Sequence, residues 1–588
     1  MTRAGFDRRD VPLFDRNFFR SNECVTRIGE GELGGKARGL VLTRDLLESR
    51  FDASGFPDVE VHVPKMVVVG TDVFDAFLER NQLNQTALSD LADDRMVEAF
   101  LRAEFPTEVL GDLRALVEEA HTPLAIRSSS LLEDAMFRPF AGVYETKMVP
   151  NNQPDADTRF VKLLEAIKFV YASTFFCSAK AYILATERTS ADEKMAVIIQ
   201  EVVGERHGER FYPDLAGVGR SYNFFPSKGV APRDGVVNLA LGLGKTIVDG
   251  GTSWIYSPAR PKAPAPFGST REILRSTQLD FWAVNMGKPP SYDPATETEY
   301  LLKADLSAAD YDGTLSAVAS TYDARRDRLV PGTGVDGPRV VDFAPLLSHS
   351  DVPLNSLIRE LLTIGEQALE EAVEIEFAAR LPRKGSPGMR FGFLQLRPML
   401  VSGEEVEVGD DELARPDLLL ASDRAMGNGA PEAIVDVVYV KPGPFESRLT
   451  PKIAAEVEKM NRPLVAENRP YLLLGFGRWG SSDPWLGIPV NWGQIAGARV
   501  IVESTLPGMN VEPSQGAHFF HNLISFEVCY LCVSHEEGAG STRRGIDWEW
   551  LESQPGIDET DNVRHVRLEQ PLRIKVDGRS GRGAVWHP

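Results

Sequence analysis

A chain of 588 residues exceeds what one hydrophobic core can organise, so about two to four domains are expected. Apolar residues make up 43% and charged residues 25%, as in ordinary globular proteins, while a formal charge of −21 argues against a basic nucleic-acid-binding face. No apolar run reaches the ~18 residues of a membrane span, MTRAGFDRRDVPLF lacks the apolar core of a secretion signal, and four cysteines suit a reducing cytoplasm rather than a disulfide scaffold.

Along the chain, the first motif is Gly31-Glu32-Leu33-Gly34-Gly35-Lys36-Ala37-Arg38-Gly39-Leu40, which opens a helical pattern. Its glycines let backbone N–H groups approach an anion, the helix start adds a favourable partial charge, and Lys36 supplies a full one. Gly-Gly-Lys also occurs in ordinary turns. VEVHVPKMVVVG and PLAIRSSS read as strands, the second ending in Arg127-Ser128-Ser129-Ser130, with Glu133-Asp134 and Phe140-Ala141-Gly142 downstream. A guanidinium at a strand end can chelate phosphate oxygens; Ser130 with Glu133 also makes a helix capping box, and both readings can hold together. LEAIKFVYASTFFCSAKAYIL carries helical periodicity, and KMAVIIQEVVG (194–204) reads as a buried strand closed by glycine.

Leu241-Gly242-Leu243-Gly244-Lys245 and then Asp249-Gly250-Gly251 form a second phosphate-tolerant loop. Glu374 and Glu376 alternate in VEIEF, and Gln395 and Arg397 alternate in FLQLRP, so each pair shares a strand face. Adjacent strands would gather a carboxylate, an amide oxygen and a guanidinium. Glu376 and Gln395 offer the hard oxygens that Mg²⁺ requires, and Arg397 can neutralise a transferring group. A structural ion pair accounts for the same spacing.

Residues 403–433 are polar and acidic and read as a linker to an α+β domain over 434–588, where six of the eight tryptophans lie beyond residue 470. That domain carries Arg469-Pro470-Tyr471, then Gly475-Phe476-Gly477-Arg478-Trp479-Gly480-Ser481-Ser482-Asp483-Pro484-Trp485, and later Gly516-Ala517-His518-Phe519-Phe520-His521-Asn522. Arg478 beside aromatic rings can hold an anionic or planar acceptor. Asp483 is a candidate general base, and His518 a candidate phosphate acceptor or acid–base group. The alternative is a tight turn packed on the core, with His518 capping a helix. Cys529 and Cys532 lie in SFEVCYLCVS, a strand pattern in which a separation of three places the thiols on opposite faces, against a redox or zinc pair. The final twenty residues are expected to be loosely ordered.

The blocks GGKARGL, LAIRSSSLLEDAMFRPFAGVYET, MAVIIQEVV, LGLGKTIVDGG and VEIEF…FLQLRP occur in that order between about residues 25 and 402. Together they resemble the N-terminal nucleotide domain of phosphoenolpyruvate synthase and pyruvate phosphate dikinase. The resemblance implies an α/β (α+β) fold with a two-lobed, ATP-grasp-type nucleotide domain, one lobe over 1–195 and a second over 196–402. It implies ATP and Mg²⁺ as cofactors. It assigns Lys36 and Arg127 to the phosphates, the backbone of Gln200, Glu201 and Val203 to adenine, and Gly142, Gly242 and Gly244 to the phosphate loops. Glu376 and Gln395 fall to metal and nucleotide, and Arg397 matches the family's Gln-x-Arg ending.

Two departures stand out. LPRKGSPGMRFGF lengthens the connection between Glu376 and Gln395, and none of the nine histidines sits in the family's Gly-Gly-x-x-Ser/Thr-His-Ala setting. Three readings stay open: a phosphotransferase with an unknown small-molecule or protein acceptor, the nucleotide-binding half of a split system acting on a separate phosphohistidine-domain protein, and a non-catalytic ATP sensor. No nucleic-acid or membrane partner is expected.

Overall fold

The computed structural model describes residues 11–131, 143–185, 193–224, 230–262, 270–349, 352–383, 388–399, 406–481, 483, 485–506, 509, 523, 528–534, 545–578 and 580–588. The chain is mixed α/β throughout. Its first sheet orders the strands Val25–Ile28, Met66–Val69, Met195–Glu201, Leu124–Ser130 and Thr146–Val149. The central runs MVVV and MAVII are apolar at every position because both faces are covered. Met66, Val68, Ala196 and Ile198 pack beneath the helix Gly34–Arg50 through Ala37, Leu40 and Val41. Val67, Val69, Val197 and Ile199 face the other way, against Phe74, Phe77, Ile167 and Val170 of the helices Thr71–Arg80 and Ala156–Ser173.

A second sheet runs Trp254–Tyr256, Val236–Ala240, Leu215–Arg220, Ala372–Arg380, Met389–Met399 and Val59–His62. Its last member comes from the amino-terminal part of the chain and pairs in parallel with Met389–Gly392, stitching the two halves of the nucleotide region together. A third sheet, Leu301–Asp305, Asp280–Asn285, Arg210–Tyr212 and Glu205–His207, follows directly from the first through residues 202–204. The boundary expected at 195/196 therefore falls inside the first sheet: Met195–Glu201 is its middle strand, held between Met66–Val69 and Leu124–Ser130.

The carboxy-terminal region is built on four parallel strands, Asp436–Val440, Tyr471–Phe476, Ala498–Ser504 and Cys529–Val533, with antiparallel strands at both edges. The stretch read as a linker is only partly one. Its apolar run Leu418–Ser422 is buried and pairs with Arg582–Trp586, and Asn428–Gly429 pairs with Asp577–Val576. The last twenty residues are likewise ordered where described: Arg573–Asp577 and Arg582–Trp586 form a hairpin whose Val576, Ala584, Val585 and Trp586 are buried. Composition alone could not show the pairings of Leu418–Ser422 and Asn428–Gly429, because their partners lie more than a hundred residues away.

Cys529 packs in one apolar layer and Cys532 against another, as alternation along a strand requires. Burial raises the Cys532 thiol well above its ordinary value. The amino-terminal lobe and the carboxy-terminal region share one continuous apolar core, in which Phe176 and Ile183 join Trp479, Val490, Trp492 and Ile495. Among the described residues, no helix is long and apolar enough to cross a membrane.

Candidate functional site

Glu374 and Glu376 share one face of the strand Ala372–Arg380, and the neighbouring strands place a partner opposite each. Glu374 stands between Arg397 and Arg220; Glu376 stands between Gln395 and Val218. Glu374 is fully buried, receiving Arg220 Nε at 2.6 Å on Oε2 and Arg397 Nε at 2.9 Å on Oε1. An unpaired carboxylate would be untenable there, so the flanking guanidiniums are what keep it charged and buried. The ion-pair reading of these residues is thus realised in Glu374. Glu376 is in a different state: its Oε1 is buried, lies 3.6 Å from Arg397 Nη2, and receives no hydrogen bond.

Arg127 reaches this face from the first sheet. The register slips after Glu376, which pairs with Gln395 while Phe377 pairs with Phe393, so Leu394 is the extra residue of a bulge. Arg127 Nη1 donates to the Leu394 carbonyl at 2.9 Å and to Gln200 Oε1 at 3.0 Å. Its Nη2 donates to Gln395 Oε1 at 3.4 Å and lies 3.9 Å from Glu376 Oε2. Arg127, Gln200, Glu376, Gln395 and Arg397, scattered over 271 positions of sequence, meet in one cluster. Three guanidiniums (Arg127, Arg220, Arg397) face two carboxylates (Glu374, Glu376), which gives a locally positive floor in a chain of charge −21.

The rest of the expected adenine strand follows. Glu201 accepts Thr122 Oγ1 at 2.8 Å, and its N–H donates to the Lys65 carbonyl at 3.0 Å. Val203 lies over Gly392, where a built Cβ would come within 2.4 Å of Val203 Cγ2. Lys36 sits in the first turn of the helix Gly34–Arg50, half-buried. That turn is pressed onto the serine strand. Gly34 has φ +76°, a Cβ on it would lie 1.8 Å from the Ser129 carbonyl oxygen, and Ser129 Oγ accepts the Ala37 N–H at 3.0 Å. Farther along the same helix, Gly39 abuts the Leu396 carbonyl. Several amides of the preceding loop are already engaged: Glu30 and Gly31 donate to Asp72, and Glu32 to Thr71.

The second glycine loop folds over the same sheet face. Ile247 of the short helix Lys245–Val248 packs on Val218, the cross-strand neighbour of Glu376, and on Ala240 in the strand beyond. Gly242 takes φ +82°, and a Cβ there would lie 2.7 Å from the Trp282 carbonyl oxygen. Gly244 stands at the start of that helix, its carbonyl accepting the Ile247 N–H at 2.9 Å. Lys245 Nζ pairs with Glu297 at 2.6 Å and with Asp249 at 3.1 Å. Glu145 belongs to this group: burial first, then the Glu297 carboxylate, push its own carboxyl up to about 7, against the pull of Lys245.

In the carboxy-terminal region, Asp483 Oδ1 accepts the Trp485 N–H at 2.9 Å, and its carbonyl accepts the Leu486 and Gly487 N–H groups. These contacts close a turn. Gly142 and His518 lie outside the described residues, as do Glu133, Asp134 and His521. Arg220, Glu145 and Glu297 were not singled out from sequence. Arg220 ends the apolar run LAGVGR much as Arg127 ends LAIR, but only strand pairing reveals that it faces Glu374.

Over 188 residues the chain is 24% identical to an uncharacterized phosphotransferase, YvkC, of Bacillus subtilis (strain 168). That match covers 32% of this chain and 20% of the relative, so the chain spans only a fifth of that protein's length. The family described as pyruvate phosphate dikinase, AMP/ATP-binding domain, matches residues 30–415. Since this match takes in well over half of the chain and the whole Arg127–Glu376–Arg397 cluster, the protein belongs to the family of the pyruvate phosphate dikinase AMP/ATP-binding domain.

Proposed function

We propose that the chain is an ATP-dependent phosphotransferase whose acceptor is bound by, or lies within, its carboxy-terminal region. The observation that carries this reading is the convergence of Arg127, Arg220 and Arg397 on a sheet face that also holds Glu376, beneath the glycine turn of Lys245. In this account the triphosphate lies between that face, the turn at Gly242 and Gly244, and the helix start at Lys36. Adenine meets the backbone of Gln200, Glu201 and Val203. Arg127 joins both sheets and orients the phosphates; Arg397, tied to Glu374, offsets the charge that spreads over the transferring group.

The donor set fits Mg²⁺. Glu376 Oε1 is a buried carboxylate oxygen without a hydrogen-bond donor, and Gln395 is its cross-strand neighbour, so these two residues would hold the ion. Bound there, the ion would neutralise phosphate charge. The carboxyl ends of the four parallel strands form the kind of edge at which open sheets of this type hold ligands. This supports an acceptor in the carboxy-terminal region.

Nucleotide-product analysis tests the reading. Radiolabelled ATP, Mg²⁺ and cell extract are incubated with the chain, with Lys36→Ala as the control. Conversion to AMP or ADP by the wild type, absent from the variant, is expected. ATP binding with no turnover and no phosphorylated product in any extract would sink it and favour a nucleotide sensor. A second reading passes phosphate to a histidine outside these residues, since none of the nine histidines here sits in the family's histidine motif. Turnover by the purified chain without a protein partner counts against that version.

A further inference from the structure

The carboxy-terminal region reaches the glycine turn of the nucleotide region through the Arg478 side chain. Arg478 Nη1 donates to the Gly250 carbonyl at 3.1 Å, across 228 positions of sequence. Around that contact the two backbones are close. Gly250 takes φ +71°, and a Cβ on it would meet Ser481 Cα at 3.7 Å and the Gly480 carbonyl oxygen at 3.8 Å.

Both ends of the contact are firmly held. Arg478 follows the carboxyl end of the central strand Tyr471–Phe476 and pairs with Gly487, whose missing Cβ would lie 1.9 Å from the Arg478 carbonyl oxygen. Its neighbour Trp479 is fully buried over Gly475; the Trp479 N–H donates to Glu503 at 2.7 Å and Nε1 to the Val502 carbonyl at 3.1 Å. On the other side, the N–H groups of Asp249, Gly250 and Gly251 return to the Lys245, Ile247 and Thr246 carbonyls at 2.9, 3.1 and 2.8 Å. Asp249 in turn holds Lys245 Nζ. A displacement of Gly250 is thus transmitted to Lys245 within one tight turn.

We propose that Arg478 is a positioning residue of the nucleotide site: it clamps the Asp249–Gly251 turn, and through it Lys245, in the geometry that receives the ATP phosphates. This inference rests on the phosphotransferase reading above and adds to it that the carboxy-terminal region completes the phosphate-binding turn rather than merely adjoining it. A guanidinium suits the role because its planar fork loses less freedom per hydrogen bond than an ammonium on a flexible stem.

The test compares wild type, Arg478→Ala, Arg478→Lys and Lys36→Ala in the full-length chain. A fluorescent ATP analogue is displaced by ATP or by adenosine, and the thermal midpoint of each free protein is recorded. For Arg478→Ala the dissociation constant for ATP should rise ~10-fold while that for adenosine and the midpoint stay at the wild-type values. Arg478→Lys, which keeps one donor, should recover most of the ATP affinity. Unchanged ATP affinity in Arg478→Ala overturns the inference, and so does an equal loss for ATP and adenosine, which would mark a merely structural contact. If Lys36→Ala binds ATP as well as wild type, the nucleotide-site reading itself has failed. If only Lys36→Ala loses ATP, that reading stands and the Arg478 clamp falls.

Discussion

Glu374 and Glu376 are separated by one residue, yet their surroundings give them opposite tasks. Glu374 is locked between Arg220 and Arg397 and holds the floor together; Glu376 keeps an oxygen without a donor. Replacing Glu374 by Gln removes the carboxylate that the buried guanidiniums of Arg220 and Arg397 share. We expect a loss of about 3–5 kcal/mol, read from urea unfolding, because breaking a buried ion pair strands its partners. A stability equal to wild type would show that the guanidiniums find other anions. Glu145 makes a pH prediction. Its folded-state value of about 7 lies above the ordinary carboxylate range, so the folded protein holds a proton that the unfolded chain has already released. Its stabilising contribution is therefore fully present at acid pH and lost as pH rises towards and through about 7. Glu297, Lys245, Asp249 and Asp93 are the charged groups around it. Urea midpoints measured between pH 5 and 8 should fall with rising pH more steeply in wild type than in Glu145→Gln; parallel profiles would contradict this.

Among the elements, the helix start at Lys36 depends on Gly34 more than on any cap. Its left-handed φ and its contact with the Ser129 carbonyl leave no room for a side chain. Gly34→Ala should push the first turn off the serine strand and weaken ATP binding by ~10-fold, about 1.4 kcal/mol, measured by calorimetric titration. Unchanged affinity would remove this turn from the site. Local pattern made the strands and helices around these motifs legible: MAVII and LAI, the first parts of their strands, are apolar at successive positions because helices cover both faces of their sheet. The same local view could not show that Leu394 forms a bulge whose carbonyl meets Arg127, since a bulge is a relation between two strands. Nor could it show that the acidic stretch before residue 433 contributes strands, because Leu418–Ser422 finds its partner near the end of the chain.

At the scale of the whole molecule, the ordered motifs marked the nucleotide region correctly as one family domain, and the match to residues 30–415 bears this out. How the carboxy-terminal region attaches was not legible, because its contacts with the amino-terminal lobe are apolar side chains such as Phe176, Ile183, Val490 and Ile495, which resemble any core residues in a sequence. The resulting molecule gathers Arg127, Glu376 and Arg397 from separate strands and brings Arg478 onto the adjacent glycine turn. The central claim is that this cluster binds the phosphates of ATP with a divalent ion at Glu376. Its most direct test is calorimetric titration of ATP, with and without Mg²⁺, into wild type, Arg127→Ala and Glu376→Gln. The account predicts that Arg127→Ala weakens ATP binding under both conditions, whereas Glu376→Gln loses only the increment that Mg²⁺ adds. Equal affinities in all three proteins, or a wild type that binds no ATP, would contradict it.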